Sequence, residues 1–143
     1  MEVLELAVDI EQHVDINRPI ADVFNGLIRQ FTEKMVYPDG RSMNFKLEAK
    51  PGGRWYRDLG NDTGHLWGHV QVIKPPTILE ISGPMFMSYP TVNHIEVRLT
   101  EEDGKTRLTL RHRAIGMIEE QHRTGMADGW KQMLDQLKCD SEK

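Results

Sequence analysis

The chain predicts an α+β fold in which a curved antiparallel sheet wraps around one long C-terminal helix. Three observations carry that prediction. A first segment alternates apolar and polar residues with a clean period of two, five or six further strand-like segments follow with short turns between them, and one long amphipathic segment from Ile118 to Lys138 comes last. A continuous antiparallel sheet with one apolar face needs a cover, and only that last helix is long enough to supply it. A chain of 143 residues suits a single domain over 1–143, with a charged end at 139–143 expected to be a loose tail.

The first strand places Leu4, Leu6, Val8, Ile10, Val14 and Ile16 on one face and Glu5, Asp9, Glu11, His13 and Asp15 on the other. Asn17-Arg18-Pro19 stops it, with Asn17 a candidate helix cap and Pro19 suited to a first turn. Ile20, Val23, Phe24, Leu27 and Ile28 then recur at helical spacing up to Gln30, and a second short helix is expected from Thr32 to Val36. Pro38-Asp39-Gly40 is a turn.

From Ser42 to Arg113 the sequence reads as a meander. Met43, Phe45, Leu47 and Ala49 alternate with polar residues, and Lys50-Pro51-Gly52-Gly53 turns into a strand at 54–59. The register of that turn is open, so either Tyr56 or Arg57 faces inward. A strand at 64–73 is joined by Lys74-Pro75-Pro76-Thr77 to one at 78–82; with Lys74 opposite Thr77, Val72 meets Leu79 and Val70 meets Ile81. Trp67 and Ile73 then fall on the outward side, where with Met85, Phe86, Met87 and Tyr89 of the next loop they predict an apolar patch. Asp103-Gly104 between 92–101 and 106–113 is the strongest hairpin signal. As a two-residue turn it sets Leu99 against Leu108, Val97 against Leu110 and Ile95 against His112 on one face. Glu96 meets Arg111 and Thr100 meets Arg107 on the other.

The last helix is the most informative segment because its stripe contains gaps. Ile118, His122, Gly125, Met126, Gly129, Trp130, Met133, Leu134 and Leu137 share one face. Gly125 and Gly129 each cost roughly 1 kcal/mol of helix stability relative to alanine. A glycine pair on such a stripe, expected to face the sheet, either admits a close backbone or leaves room for something that is not protein.

Composition narrows the function. A net charge of −4 argues against general nucleic-acid binding, which wants a basic face. No apolar run approaches the roughly 20 residues of a membrane span. The lone Cys139 cannot form an internal disulfide, and the acidic start lacks the pattern of a signal peptide; the expected location is cytoplasmic. His65 and His69 stand four apart on a strand, roughly 13 Å along it, too far to chelate. No metal-ligand motif, phosphate loop or nucleophile elbow is present, so neither a metal nor another cofactor is expected. His112, pointed at the apolar face by the hairpin register, and His122, on the helix stripe, could reach the same end of a cavity. The plainer reading is that both satisfy backbone groups as the chain crosses from strand to helix.

Val14-Asp15-Ile16-Asn17-Arg18-Pro19 leading to Val23-Phe24, Pro51-Gly52-Gly53, the run Gly68 to Pro76, Gly104 to Leu110, and Gly129-Trp130 with Leu134 and Leu137 together resemble the START-like, or SRPBCC, superfamily. The branch it resembles most is the one named after the activator of the heat-shock-protein-90 ATPase, in its C-terminal domain. The resemblance spans nearly the whole chain and implies a helix-grip fold with a cavity between sheet and C-terminal helix. It implies no reaction, since members include lipid carriers, cyclases and co-chaperone domains. Where relatives often carry tryptophan after the second helix, this chain has Met35-Val36-Tyr37.

The expected function is non-enzymatic binding of a small, mostly apolar molecule. The candidate cavity residues are His112, His122, Gly125, Met126, Gly129, Met133, Val97 and Leu110, with no catalytic residue assigned. Methionines around the helix would make such a cavity adjustable. A cyclase- or hydrolase-like enzyme on the same scaffold, and a chaperone-interaction module, are the alternatives. A homodimer is expected from the apolar patch and from the pairing of single-domain relatives.

Overall fold

The computed structural model describes residues 6–85 and 88–143. Seven strands, β1 (Ala7–Ile16), β2 (Phe45–Leu47), β3 (Arg54–Gly60), β4 (Thr63–Lys74), β5 (Ile78–Gly83), β6 (Thr91–Glu102) and β7 (Lys105–Gly116), form one antiparallel sheet in the order β1-β7-β6-β5-β4-β3-β2. Helices α1 (Ile20–Gln30) and α2 (Glu120–Ser141) pack on each other over its apolar face. The crossing from β1 through α1 puts β1 and β2 at opposite edges.

The β6–β7 hairpin has the expected register, with Leu99 opposite Leu108, Val97 opposite Leu110 and Ile95 opposite His112. Asp103 and Gly104 both have positive φ, the turn geometry whose twist suits a two-residue hairpin. In β1 the even-numbered residues lie inward as expected, and the polar one among them, Gln12, donates from Nε2 to the Ala127 carbonyl of α2 at 2.8 Å. Leu4 and Glu5 lie outside the described residues.

Two bulges change the facing of residues that strict alternation assigns. In the β4–β5 pair Lys74 opposes Ile78, Ile73 opposes Leu79 and Val72 opposes Glu80; a register shift at Gln71 then restores Val70 to Ile81. Ile73 therefore packs against the core, not outward. In the β3–β4 pair Trp55 opposes Gly68 and Tyr56 opposes Leu66, leaving Trp67 as the extra residue. A bulge re-aims its side chain, and Trp67 packs inward against Phe45 and Trp55 instead of facing solvent. The open facing on β3 is settled too. Phe45 opposes Arg57 on the inward side, where Arg57 stacks over Tyr37, while Tyr56 faces out under Arg54.

Other expectations need correction. Residues 32–34 form turns and Val36 pairs with Ser42 in an isolated bridge, so there is no second helix there, and β2 has three residues. Asn17 does not cap α1; the Glu101 carboxylate of β6 accepts the Ile20 N–H at 2.9 Å and takes that role from across the fold. The charged end is not loose. Arg18 donates to the Ser141 and Lys143 carbonyls at 2.7 and 2.8 Å, and Glu142 accepts the Asn17 N–H at 2.8 Å, so the end of α2 is tied to the turn after β1.

α1 buries Val23, Phe24, Leu27 and Gln30, and α2 buries Met126, Leu134 and Leu137. The helices come close at Gly26, where an added Cβ would lie 2.9 Å from Leu137 Cδ1. Gly26→Val should therefore destabilise the fold by about 1–3 kcal/mol through overpacking, read as a lower midpoint in urea denaturation.

Candidate functional site

The C-terminal half of α2 is pressed onto α1 and the sheet through Leu134 and Leu137, whereas its first half stands over a cavity of about 710 Å³. The wall opposite comes from the end of α1 (Gln30, Phe31), the turns that follow (Lys34, Met35, Val36, Met43), and Trp55, Trp67, Met85 and His112 of the sheet side. α2 supplies Gln121, His122, Gly125, Met126, Gly129, Trp130, Gln132, Met133 and Gln136. All three tryptophans of the chain and five of its eight methionines are on this surface.

Gln121, Gly125, Gly129, Gln132 and Gln136 recur at three-and-four spacing, so they form one strip of α2 along the mouth. The glycines do not press against the sheet. A Cβ added at either would meet nothing within 4 Å. Of the two roles a glycine pair can play, this one leaves space, while close backbone approach is assigned elsewhere, as at Gly83, where a Cβ would come within 2.4 Å of Gly68 Cα.

The aromatic wall is internally braced. Phe31 stacks on Trp55 with centroids 5.0 Å apart, Trp67 stands edge-on to Trp55 and Phe45 at 5.2 and 4.8 Å, and Trp130 lies 6.2 Å from Phe31. Trp55 donates from Nε1 to the Phe31 carbonyl at 2.8 Å, which ties the turn after α1 to β3. Such cross-packing holds the rings in place before anything enters.

His112 is 1% exposed and both its nitrogens are occupied. Trp130 donates from Nε1 to Nδ1 at 2.9 Å, so Nδ1 carries no proton and Nε2 does. Nε2 in turn donates to Asn93 Oδ1 at 2.7 Å, and Asn93 returns its amide hydrogens to the Gly83 and Pro84 carbonyls and to Thr91. Burial, with a small addition from His94, pushes the pKa of His112 down to about 4. It is a neutral strut that joins β7 to α2. His122 is different: its Nδ1 is hydrogen-bonded to the Tyr89 hydroxyl, and its ring lines the cavity. Burial and the Glu119 carboxylate raise the Tyr89 pKa.

Of the residues named from sequence, His112, His122, Gly125, Met126, Gly129 and Met133 are on this one surface. Val97 and Leu110 are instead fully buried in the packed core beneath it. Sequence reasoning missed Trp55, Trp67, Met35 and Met43. A bulge places Trp67, and nonlocal packing around the 36–42 hairpin brings Met35 beside Met43, whose N–H donates to the Met35 carbonyl. Among the described residues no group of three His, Cys, Asp or Glu could hold a metal ion, and no helix is long and apolar enough to cross a membrane.

A seven-stranded antiparallel sheet gripping a long C-terminal helix over a cavity is the architecture of START-like proteins. Residues 17–139 match the family model of Activator of Hsp90 ATPase homolog 1-like protein, and the chain belongs to that family. No curated protein matches the sequence. Among solved structures, the fold is similar to a protein from Rhizobium leguminosarum (18% identity, TM-score 0.70, covering 95% of this chain and 96% of that one). It is also similar to the solution structure of the Aha1 dimer from Colwellia psychrerythraea (16% identity, TM-score 0.65, 94% and 96%). Ara h 8.0201 shares the fold at 10% identity (TM-score 0.70, 94% and 97%).

Proposed function

We propose that the protein binds a small, mostly apolar molecule in the cavity between sheet and α2, without catalysing a reaction on it. The observation that carries this reading is the lining itself: three tryptophans and five methionines around about 710 Å³, entered past two glycines that meet nothing. The occupied nitrogens of His112 favour binding over acid–base chemistry, because proton transfer there would first have to break the Trp130 or Asn93 bond.

Because every tryptophan of the chain lines the cavity, indole emission is a direct probe of occupancy. Titration with a panel of long-chain fatty acids, sterols and naphthols should shift or quench the emission for at least one class, and native mass spectrometry of freshly purified protein should show a retained ligand. No emission change with any class and no retained mass would overturn the reading.

The family description favours a chaperone partner as the alternative, which binding of the purified protein to heat-shock protein 90 in a pull-down would support. We place the protein in the cytoplasm on its single cysteine. We also infer a homodimer. Trp67, Ile73 and Met85 do not form an exposed patch, since they pack inside, and Phe86 and Met87 lie outside the described residues. What faces outward is the Val92–Ile115 pair, 66% and 50% exposed, with Met117 at 60% nearby. The likeness to the Aha1 dimer from Colwellia psychrerythraea supports pairing. Light scattering should give twice the chain's 16.5 kDa; Ile115→Glu should return that mass to one chain, and a wild-type monomer sinks the inference.

A further inference from the structure

Several polar groups of the cavity wall are already engaged within the protein. Both nitrogens of His112 are engaged, and the indole N–H groups of Trp55 and Trp130 are given to Phe31 and His112. Gln30 and Gln136 donate to the Asp140 carboxylate at 3.0 and 2.8 Å, and Lys34 lies 3.8 Å from the same group. Gln121 and Gln132 are on the exposed rim. His122 remains. Its ring is half-buried and held through Nδ1 by Tyr89, and its Nε2 has no hydrogen-bond partner among the described residues. Tyr89 itself belongs to a second concavity, between the start of β1 and the start of α2, so the pair stands between two open spaces.

We propose that the Tyr89–His122 pair is the polar anchor of the cavity, and that the ligand is an apolar, ring-bearing molecule carrying one hydroxyl that bonds His122 Nε2. This rests on the binding reading above and names the chemistry of the occupant. If the Tyr89 hydroxyl donates to Nδ1, Nε2 carries the ring proton and is a donor; if Nδ1 donates to the Tyr89 oxygen, Nε2 is an acceptor. A ligand hydroxyl, donor and acceptor at once, satisfies either tautomer, whereas a carbonyl or an ammonium group satisfies one. The hydrocarbon part meets the indoles and thioethers, which offer dispersion and adaptable shape.

The test uses two isosteres, 2-naphthol and 2-methylnaphthalene, with affinities measured by equilibrium dialysis. In the wild-type protein the hydroxyl compound should bind tighter relative to its methyl analogue, and His122→Phe should shrink that ratio about tenfold, the size expected for one hydrogen bond in a sheltered site. Tyr89→Phe, which keeps the ring and removes the orienting bond, should shrink it by a smaller factor while leaving 2-methylnaphthalene binding unchanged. An unchanged ratio in both variants, with both compounds still bound, overturns the anchor and leaves the cavity reading intact. Binding that survives unaltered when Gly125 and Gly129 are both replaced by Leu, or no binding of either compound, overturns the cavity reading and the anchor with it.

Discussion

Filling the open step of α2 should strongly weaken binding and leave the fold as stable as before or more so. In the double variant Gly125→Leu, Gly129→Leu, each new side chain projects into space where a Cβ meets nothing within 4 Å, so overpacking does not arise. Removing two glycines from a helix interior contributes up to about 1 kcal/mol each. The ligand, by contrast, meets two isobutyl groups at the glycine step of the rim, and affinity should fall roughly a hundredfold. A thermal melt beside an indole-emission titration separates the two effects. A large loss of stability would show that the glycines serve close packing, and an unchanged affinity would place the ligand elsewhere.

Stability should fall on mild acidification, and His112 should account for most of the loss above the carboxylate range. Its folded pKa of about 4 lies below the ordinary 6.5 of the unfolded chain. Between those values the unfolded chain takes up a proton that the folded protein refuses. The contribution is therefore complete above pH 6.5 and lost as pH falls toward 4, by at most about 3 kcal/mol. The main cause is burial, with an addition from His94, and a proton on Nδ1 would also face the Trp130 N–H, which donates to that same atom. Asp9 and Asp15, held below their usual pKa chiefly by hydrogen bonds from Arg111 and Arg107, add acid sensitivity at lower pH. The informative quantity is thus the difference between wild type and His112→Gln, where the amide can still meet Trp130 and Asn93 but does not titrate. Urea midpoints at pH 7.5, 6, 5 and 4.5 should converge for the two proteins as pH drops. Parallel curves would show that the imidazole is protonated in the folded state or exposed.

What the sequence determined by itself is everything written in short-range periodicity. The even-numbered apolar face of β1, the Asp103-Gly104 hairpin with its register, the span of α1 and the long closing helix all follow from spacing over a few residues, because strand and helix periods act locally. With one apolar sheet face and one long helix, the architecture has little choice. The cavity's α2 wall was legible for the same reason, through the stripe that holds His122, Gly125, Met126, Gly129 and Met133. Tertiary structure decided the rest. Trp67 and Ile73 turn inward only because bulges insert a residue into β4, and alternation cannot count an insertion that is defined by the neighbouring strand. Glu101 caps α1 and Arg18 holds the end of α2 from positions more than eighty residues away, and no local signal encodes such partners. Whether the two glycines admit a backbone or leave a space is likewise a property of what stands opposite them, and nothing stands within 4 Å of a Cβ added at either.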